Sequence, residues 1–178
     1  MTSINREKPE KNLDNLFGEE AVHKIKELVA KAKTCLFCTN IKTGQTFSTR
    51  PMSVQQLDDN GVAWFLSASD SSQNAEISRD SHVQLLFQGS SYSDFLTLSG
   101  QATLSRDKAK IKELWQPILK DWFTGGIDDP RVTVISVRPS DGYYWDLKHG
   151  MAVAFVKKIV GAVTGKTLDD SIEGKLKP

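Results

Sequence analysis

Thr49-Arg50-Pro51-Met52-Ser53-Val54 and Gly61-Val62-Ala63-Trp64-Phe65-Leu66-Ser67, followed at once by Ala68-Ser69-Asp70-Ser71-Ser72-Gln73-Asn74, decide the reading of this chain. The first two stretches have the residue types and patterning of β-strands with a buried face. Between them, Asp58-Asp59-Asn60-Gly61 carries an Asn-Gly pair. That pair supplies the positive backbone torsions of a tight turn, so the two strands are expected to pair antiparallel. The third stretch is rich in hydroxyls and runs into a short helix expected over 72–79, with one of the serines as its N-cap. An arginine and a hydroxyl-bearing loop therefore meet at one edge of a β surface, an arrangement suited to a ligand with a flat apolar body and an anionic tail.

Outward from this centre, Val22, Ile25, Leu28, Val29 and Ala32 recur at helical spacing and predict an amphipathic helix over 19–33. Alternation and β-branched residues predict strands near 34–41, 46–57, 62–67, 83–88 and 95–104. A second amphipathic helix is expected over 107–121, carrying Ile111, Leu114, Trp115, Ile118 and Leu119 on one face and bent by Pro117. An aromatic loop with Trp122 and Phe123 follows, then strands over 131–137 and 142–145 and a weakly amphipathic helix over 151–163. Strands outnumber helices, and successive hairpins favour a small barrel with helices over its ends. At 178 residues and 19.8 kDa, with 39% hydrophobic content, the chain fits one domain. Residues 1–18 read as a mobile polar arm, 19–164 as the domain and 165–178 as a C-terminal tail.

The charge balance narrows the function classes. Lys and Arg total 23 against 22 acidic residues, a formal net charge of +1, with no block of like charge in the interior. A nucleic-acid partner has no electrostatic support. No apolar run reaches the roughly 20 residues of a membrane-spanning helix, and the polar N-terminus lacks a signal peptide, so the default location is cytoplasmic. Cys35 and Cys38 stand in an apolar, strand-like run. A redox dithiol is one reading, but in an extended segment the two side chains point to opposite faces, which favours two small structural residues. No Ser-His-Asp, paired-carboxylate or metal-ligand constellation is visible, so no catalytic side chain and no metal are expected.

The order of segments resembles the FMN-binding split barrels related to pyridoxamine 5'-phosphate oxidase, and within them the bacterial general stress proteins. The carriers are Thr49-Arg50-Pro51-Met52, Ala63-Trp64-Phe65-Leu66-Ser67, Leu98-Ser99-Gly100-Gln101-Ala102, and the run from Trp122-Phe123 through Asp128-Asp129-Pro130 and Val137-Arg138-Pro139 to Tyr144-Trp145-Asp146. The resemblance implies a six-stranded split β-barrel, mainly β with helical decoration. It implies a homodimer with FMN, or alternatively FAD, in clefts at the subunit interface. It assigns flavin contacts to Arg50, Pro51 and Met52, to the strand Trp64, Phe65, Leu66 and Ser67, to Ser72, Gln73 and Asn74, and to Trp115 and Trp122 as aromatic covers. Many relatives carry a Lys or Arg where Gln73 stands, so one cationic partner of the phosphate is missing here.

Each of these residues also has a plainer reading. Arg50 as a solvated or ion-paired arginine, Ser67, Ser72 and Asn74 as loop and cap residues, and Trp115 as core would need no ligand. Trp64 and Phe65 lie on opposite faces of one strand, so at least one fills the core. The expected function is a flavin-dependent oxidoreductase of the general-stress type acting on a small molecule, with a transiently bound electron donor or acceptor. The alternatives are a non-catalytic flavin-binding or sequestering protein, and a barrel that has lost its flavin.

Overall fold

A computed structural model of the chain gives its architecture and describes residues 11–41, 46–149 and 170–178. In chain order the elements are β1 (Leu16–Phe17), α1 (Gly18–Ala32), β2 (Thr34–Thr39), β3 (Ser48–Ser53), β4 (Gln56–Leu57) and β5 (Ala63–Ala68). Then follow α2 (Ser72–Arg79), β6 (His82–Gln88), β7 (Phe95–Ser105) and α3 (Lys108–Leu114). Two 3-10 turns (Pro117–Asp121 and Gly126–Asp128), β8 (Val132–Leu147) and β9 (Ser171–Lys177) complete the chain.

All strands join one nine-stranded sheet in the order β1-β9-β8-β7-β6-β2-β3, with β5 on β8 and β4 on β5. The 16-residue β8 organises it. One edge of β8 carries β7 from Val134 to Trp145. The opposite edge carries β5 over Val132–Val137 and then β9 over Gly142–Leu147. Between these halves the β7–β8 register shifts at Ser99/Gly100, and a Cβ on Gly100 would collide with the Arg138 carbonyl oxygen. A β-bulge bends a strand and tolerates a residue that cannot donate to the ladder. Pro139 sits at this irregularity, which is why the segments expected as two strands over 131–137 and 142–145 form one bent strand.

The core lies inside the curve of the sheet. Phe37 and Phe65 meet edge to face at 5.3 Å between ring centroids, among Val83, Leu85, Leu98 and Ile135. Helix α1 lays Ala21, Ile25, Leu28 and Val29 onto this core. Each fully buried aliphatic or aromatic side chain contributes about 1.5–3 kcal/mol, so the closing of α1 over the sheet is driven mainly by these contacts. A second cluster of Leu66, Ile111, Leu114, Phe123, Val132 and Val134 packs α3 and the following loop against the other face of β5.

The expected Asn-Gly turn forms: Gly61 has φ +74°, and the Asp58 carboxylate accepts the N–H groups of Asn60 and Val62. It does not pair the two strands that it was expected to join. β3 pairs antiparallel with β2, with Arg50 opposite Phe37, while only Gln56–Leu57 pair with Ala63–Trp64. The chain bends between, because the Val54 N–H turns to the Lys33 carbonyl and the Gln55 N–H to the Trp64 carbonyl. β3 and β5 are therefore not neighbours in the sheet, and the barrel is open between them.

Other expectations change. The helix over 107–121 divides into α3 and the 3-10 turn that begins at Pro117, a residue with no N–H to continue an α-helix. Residues assigned to the arm and the tail join the sheet: β1 pairs parallel with β9, Asn12 is fully buried, and β9 occupies 171–177 of the tail. The helix expected over 151–163 lies outside the described residues. Cys35 and Cys38 are both buried and free, and Cys35 belongs to the inner core. Among the described residues no helix is long and apolar enough to cross a membrane.

Candidate functional site

Among the described residues, the strand edges that lack a ladder partner include the outer edge of β3, at one end of the sheet order, and the edge of β5 beyond Trp64, where β4 stops. Backbone donors and acceptors on such edges need partners from elsewhere. Arg50 lies on the side of β3 that also carries the half-buried Met52, and α2 meets it there. The guanidinium donates from Nη1 to Thr39 Oγ1 at 3.1 Å and from Nη2 to Glu76 Oε2 at 2.9 Å. Glu76 also accepts from the Thr39 hydroxyl and from Ser48 Oγ, the latter at 3.0 Å. Burial by itself would raise the Glu76 carboxyl, but the bonds from Thr39, Arg50 and Ser48 hold it below its usual value and keep it ionised.

Helix α2 completes this corner. It begins as expected, with Ser71 as N-cap accepting the Asn74 N–H at 3.2 Å. Gln73 lies one turn before Glu76 and so shares a helix face with it. Its side chain is buried, and its Nε2 has no hydrogen-bond partner. A second orphan, the Oε1 of Gln55, sits where the chain bends from β3 into β4 beside Trp64. Buried polar atoms are seldom left unpaired, and those that are require an explanation.

The hydroxyls expected near the ligand are committed to one another. Ser67 Oγ donates to Asn74 Oδ1 at 2.8 Å, and Asn74 Nδ2 donates to Thr133 Oγ1 at 2.8 Å. Thr133 Oγ1 in turn donates to the Ser67 carbonyl at 2.9 Å. This buried brace ties β5, α2 and β8 together and fixes the position of the α2 N-terminus. Ser72 is exposed in the first turn of α2.

The aromatic candidates lie elsewhere. Trp64 is half-buried on the outer face of β5, donating Nε1 to Asp58 Oδ2 at 3.0 Å with Lys110 Nζ 4.2 Å above its ring. Phe65 belongs to the inner core and Leu66 to the second cluster. Trp115 packs against Phe123, with ring centroids 6.2 Å apart, and Trp122 is 65% exposed. Pro51 is exposed on the opposite face of β3 from Arg50, in register with Leu36, which pairs in turn with Leu86. Together with Phe95 and Trp145 they line a shallow hollow of about 420 Å³. Leu36 and Trp145 are 47% and 41% exposed there.

The structure thus joins Arg50 to Glu76 of α2, one turn after Gln73, and uses Ser67 and Asn74 to brace α2 against β5 and β8. It leaves Trp115 and Trp122 on the α3 side. Sequence reasoning passed over Glu76, Thr39, Ser48, Gln55 and Thr133. For Glu76 the available signal was its place one turn after Gln73; its pairing with Arg50 depends on how α2 docks, which spacing along the chain does not encode.

An open, mainly β barrel, split between β3 and β5 and capped at the opening by a short helix, defines the split-barrel class. The chain belongs to the pyridoxamine 5'-phosphate oxidase-like family, which it matches over residues 20–169. It is 25% identical to the protein bli-3 of Neurospora crassa, across 83% of this chain and 75% of that protein. Its fold is similar to that of a general stress protein 26 from Jannaschia sp. CCS1, with TM-score 0.74, 22% identity, and coverage of 88% of this chain and 97% of that one. It is also similar to the general stress FMN/FAD binding protein of Xanthomonas citri, with TM-score 0.58, 23% identity, and coverage of 70% and 87%.

Proposed function

We propose that this chain binds a flavin nucleotide, FMN or FAD, in the split between β3 and β5 and serves as a flavin-dependent oxidoreductase acting on a small molecule. The observation that carries the reading is the Arg50 guanidinium, held on β3 by Thr39 and Glu76, together with the buried, unpartnered Gln73 amide one turn before Glu76 on α2. Two of the five guanidinium donors of Arg50 are engaged by Thr39 and Glu76, which leaves others for a phosphate oxygen. Gln73 Nε2 offers a further neutral donor to the same group. The open edge of β5 beyond Trp64, at Phe65 and Leu66, and Gln55 Oε1 offer backbone groups and an acceptor to the polar edge of an isoalloxazine. Membership of the family and the FMN/FAD-binding structural neighbour support a flavin as the occupant.

A bound flavin would supply the electron chemistry; the chain would bind it, orient it and shield it from water. The donor would be a reduced nicotinamide or reduced flavin bound transiently. A second copy of the chain would complete the site, its exposed Trp122 closing over the ring, with the apolar outer face around Leu36, Pro51 and Trp145 as the subunit contact.

The test is spectroscopic. Purified protein should be yellow, or quench the fluorescence of added FMN or FAD at one site per chain, and should elute as a dimer by light scattering. Anaerobic reduced nicotinamide should then bleach the bound chromophore. Tight binding without bleaching assigns a carrier role instead, and a colourless protein that leaves both flavins fluorescent removes the reading.

A further inference from the structure

The corner that would receive the anionic end of the ligand contains one cation and one anion, held together. Arg50 carries the cation, and Glu76 bonds it directly at 2.9 Å. Both side chains are largely shielded, 24% and 14% exposed, so solvent screens their charges only in part. Thr39 and Ser48 add hydroxyl donors to the carboxylate. The remaining donor, Gln73 Nε2, is neutral. Arg79, a turn beyond Glu76, is exposed and contributes a screened charge.

We propose that Glu76 is the specificity-determining residue of this site: by cancelling the charge of Arg50 it makes the split select a flavin whose 5' end carries at most one negative charge beside the guanidinium. The proposal rests on the flavin reading above and sharpens it. A terminal phosphate monoester carries about two negative charges at pH 7, whereas each phosphate of a dinucleotide diphosphate carries one. A group that reaches Arg50 also approaches the Glu76 carboxylate. The monoester meets that carboxylate with the larger charge and gains least from a corner of zero net charge. Gln73, a donor without charge, satisfies a phosphate oxygen of either ligand equally. The favoured occupants are therefore riboflavin-like or FAD-like, and the terminal phosphate of FMN adds little to binding.

The experiment compares dissociation constants for riboflavin, FMN and FAD, by fluorescence titration, on the full chain and on Glu76→Gln. The substitution keeps the shape and an acceptor for Arg50 while removing the charge. In the unaltered protein, FMN should bind within about threefold of riboflavin, because a neutral corner gives the phosphate little net attraction. In Glu76→Gln, FMN should tighten by about tenfold or more while riboflavin stays the same. FAD should tighten less than FMN, and the riboflavin and FAD arms decide between the two favoured occupants. A preference for FMN over riboflavin beyond about 100-fold in the unaltered protein overturns the proposal whether or not the variant folds. So does an FMN-to-riboflavin ratio that the substitution leaves unchanged. If none of the three ligands binds either protein, it is the flavin reading that fails, and the Glu76 assignment falls with it.

Discussion

At the scale of single residues, Arg50 and Glu76 are interdependent. Removing the guanidinium leaves a carboxylate that is 14% exposed with only hydroxyl donors. Losing a charged partner of this kind typically costs about 1–3 kcal/mol. Arg50→Ala should therefore lower unfolding stability by about that amount in urea, and it should weaken FMN uptake more than riboflavin uptake. Equal losses for the two ligands would show that the guanidinium does not face the phosphate. The sequence made Arg50 readable because it stands in a patterned strand beside a hydroxyl-rich segment. It hid Glu76, because an ionisable residue on a short helix looks solvated until the helix docks. It also misdirected Ser67 and Asn74: their hydroxyl and amide point to a polar ligand in sequence terms, yet Thr133, far along the chain, takes up their hydrogen-bonding capacity.

At the scale of elements, the first two helices were the most legible. α1 was expected over 19–33 and occupies Gly18–Ala32, and α2 fills its expected range with a serine cap. Their apolar periodicity and capping chemistry are local, so they survive without knowledge of the fold. Strand pairing was less legible. The Asn-Gly turn fixed a hairpin, but nothing in its neighbourhood revealed that Val54 and Gln55 turn away, so that β3 joins β2. β9 escaped notice because its central Gly174 has weak strand preference and packs backbone against backbone. A Cβ there would strike the Asp14 carbonyl oxygen. Gly174→Ala should push the N-terminal segment off β9, lower stability by about 1–3 kcal/mol, and raise hydrogen exchange at the Asp14 and Glu173 amides. Unchanged exchange at those amides would place the steric relief elsewhere.

At the scale of the whole molecule, the ionisable groups set a pH window. Glu76, Asp58, Asp94 and Asp129 have folded values below their ordinary ones. The unfolded chain therefore binds protons more readily than the folded one, and stability is present above the ordinary carboxylate range and lost as pH falls through the folded values. Cys35 runs the other way. Burial pushes its thiol from 9.0 up to about 12, so its contribution is complete below pH 9.0 and declines as pH rises toward 12. Urea midpoints should stay level between these limits, fall below about pH 4.5, and fall again above pH 9.0. A midpoint that keeps rising as pH falls below 4 would contradict the acid limb. The bent strand β8 carries a different consequence. Since β5 and β9 both lean on it, and β5 finds its long partner only once Val137 has been made, the early strands of a nascent chain leave the ribosome without their keystone. Such late, distant pairing slows assembly and leaves apolar surface bare in the interval. A cell making this protein should therefore depend on chaperones until β8 has emerged.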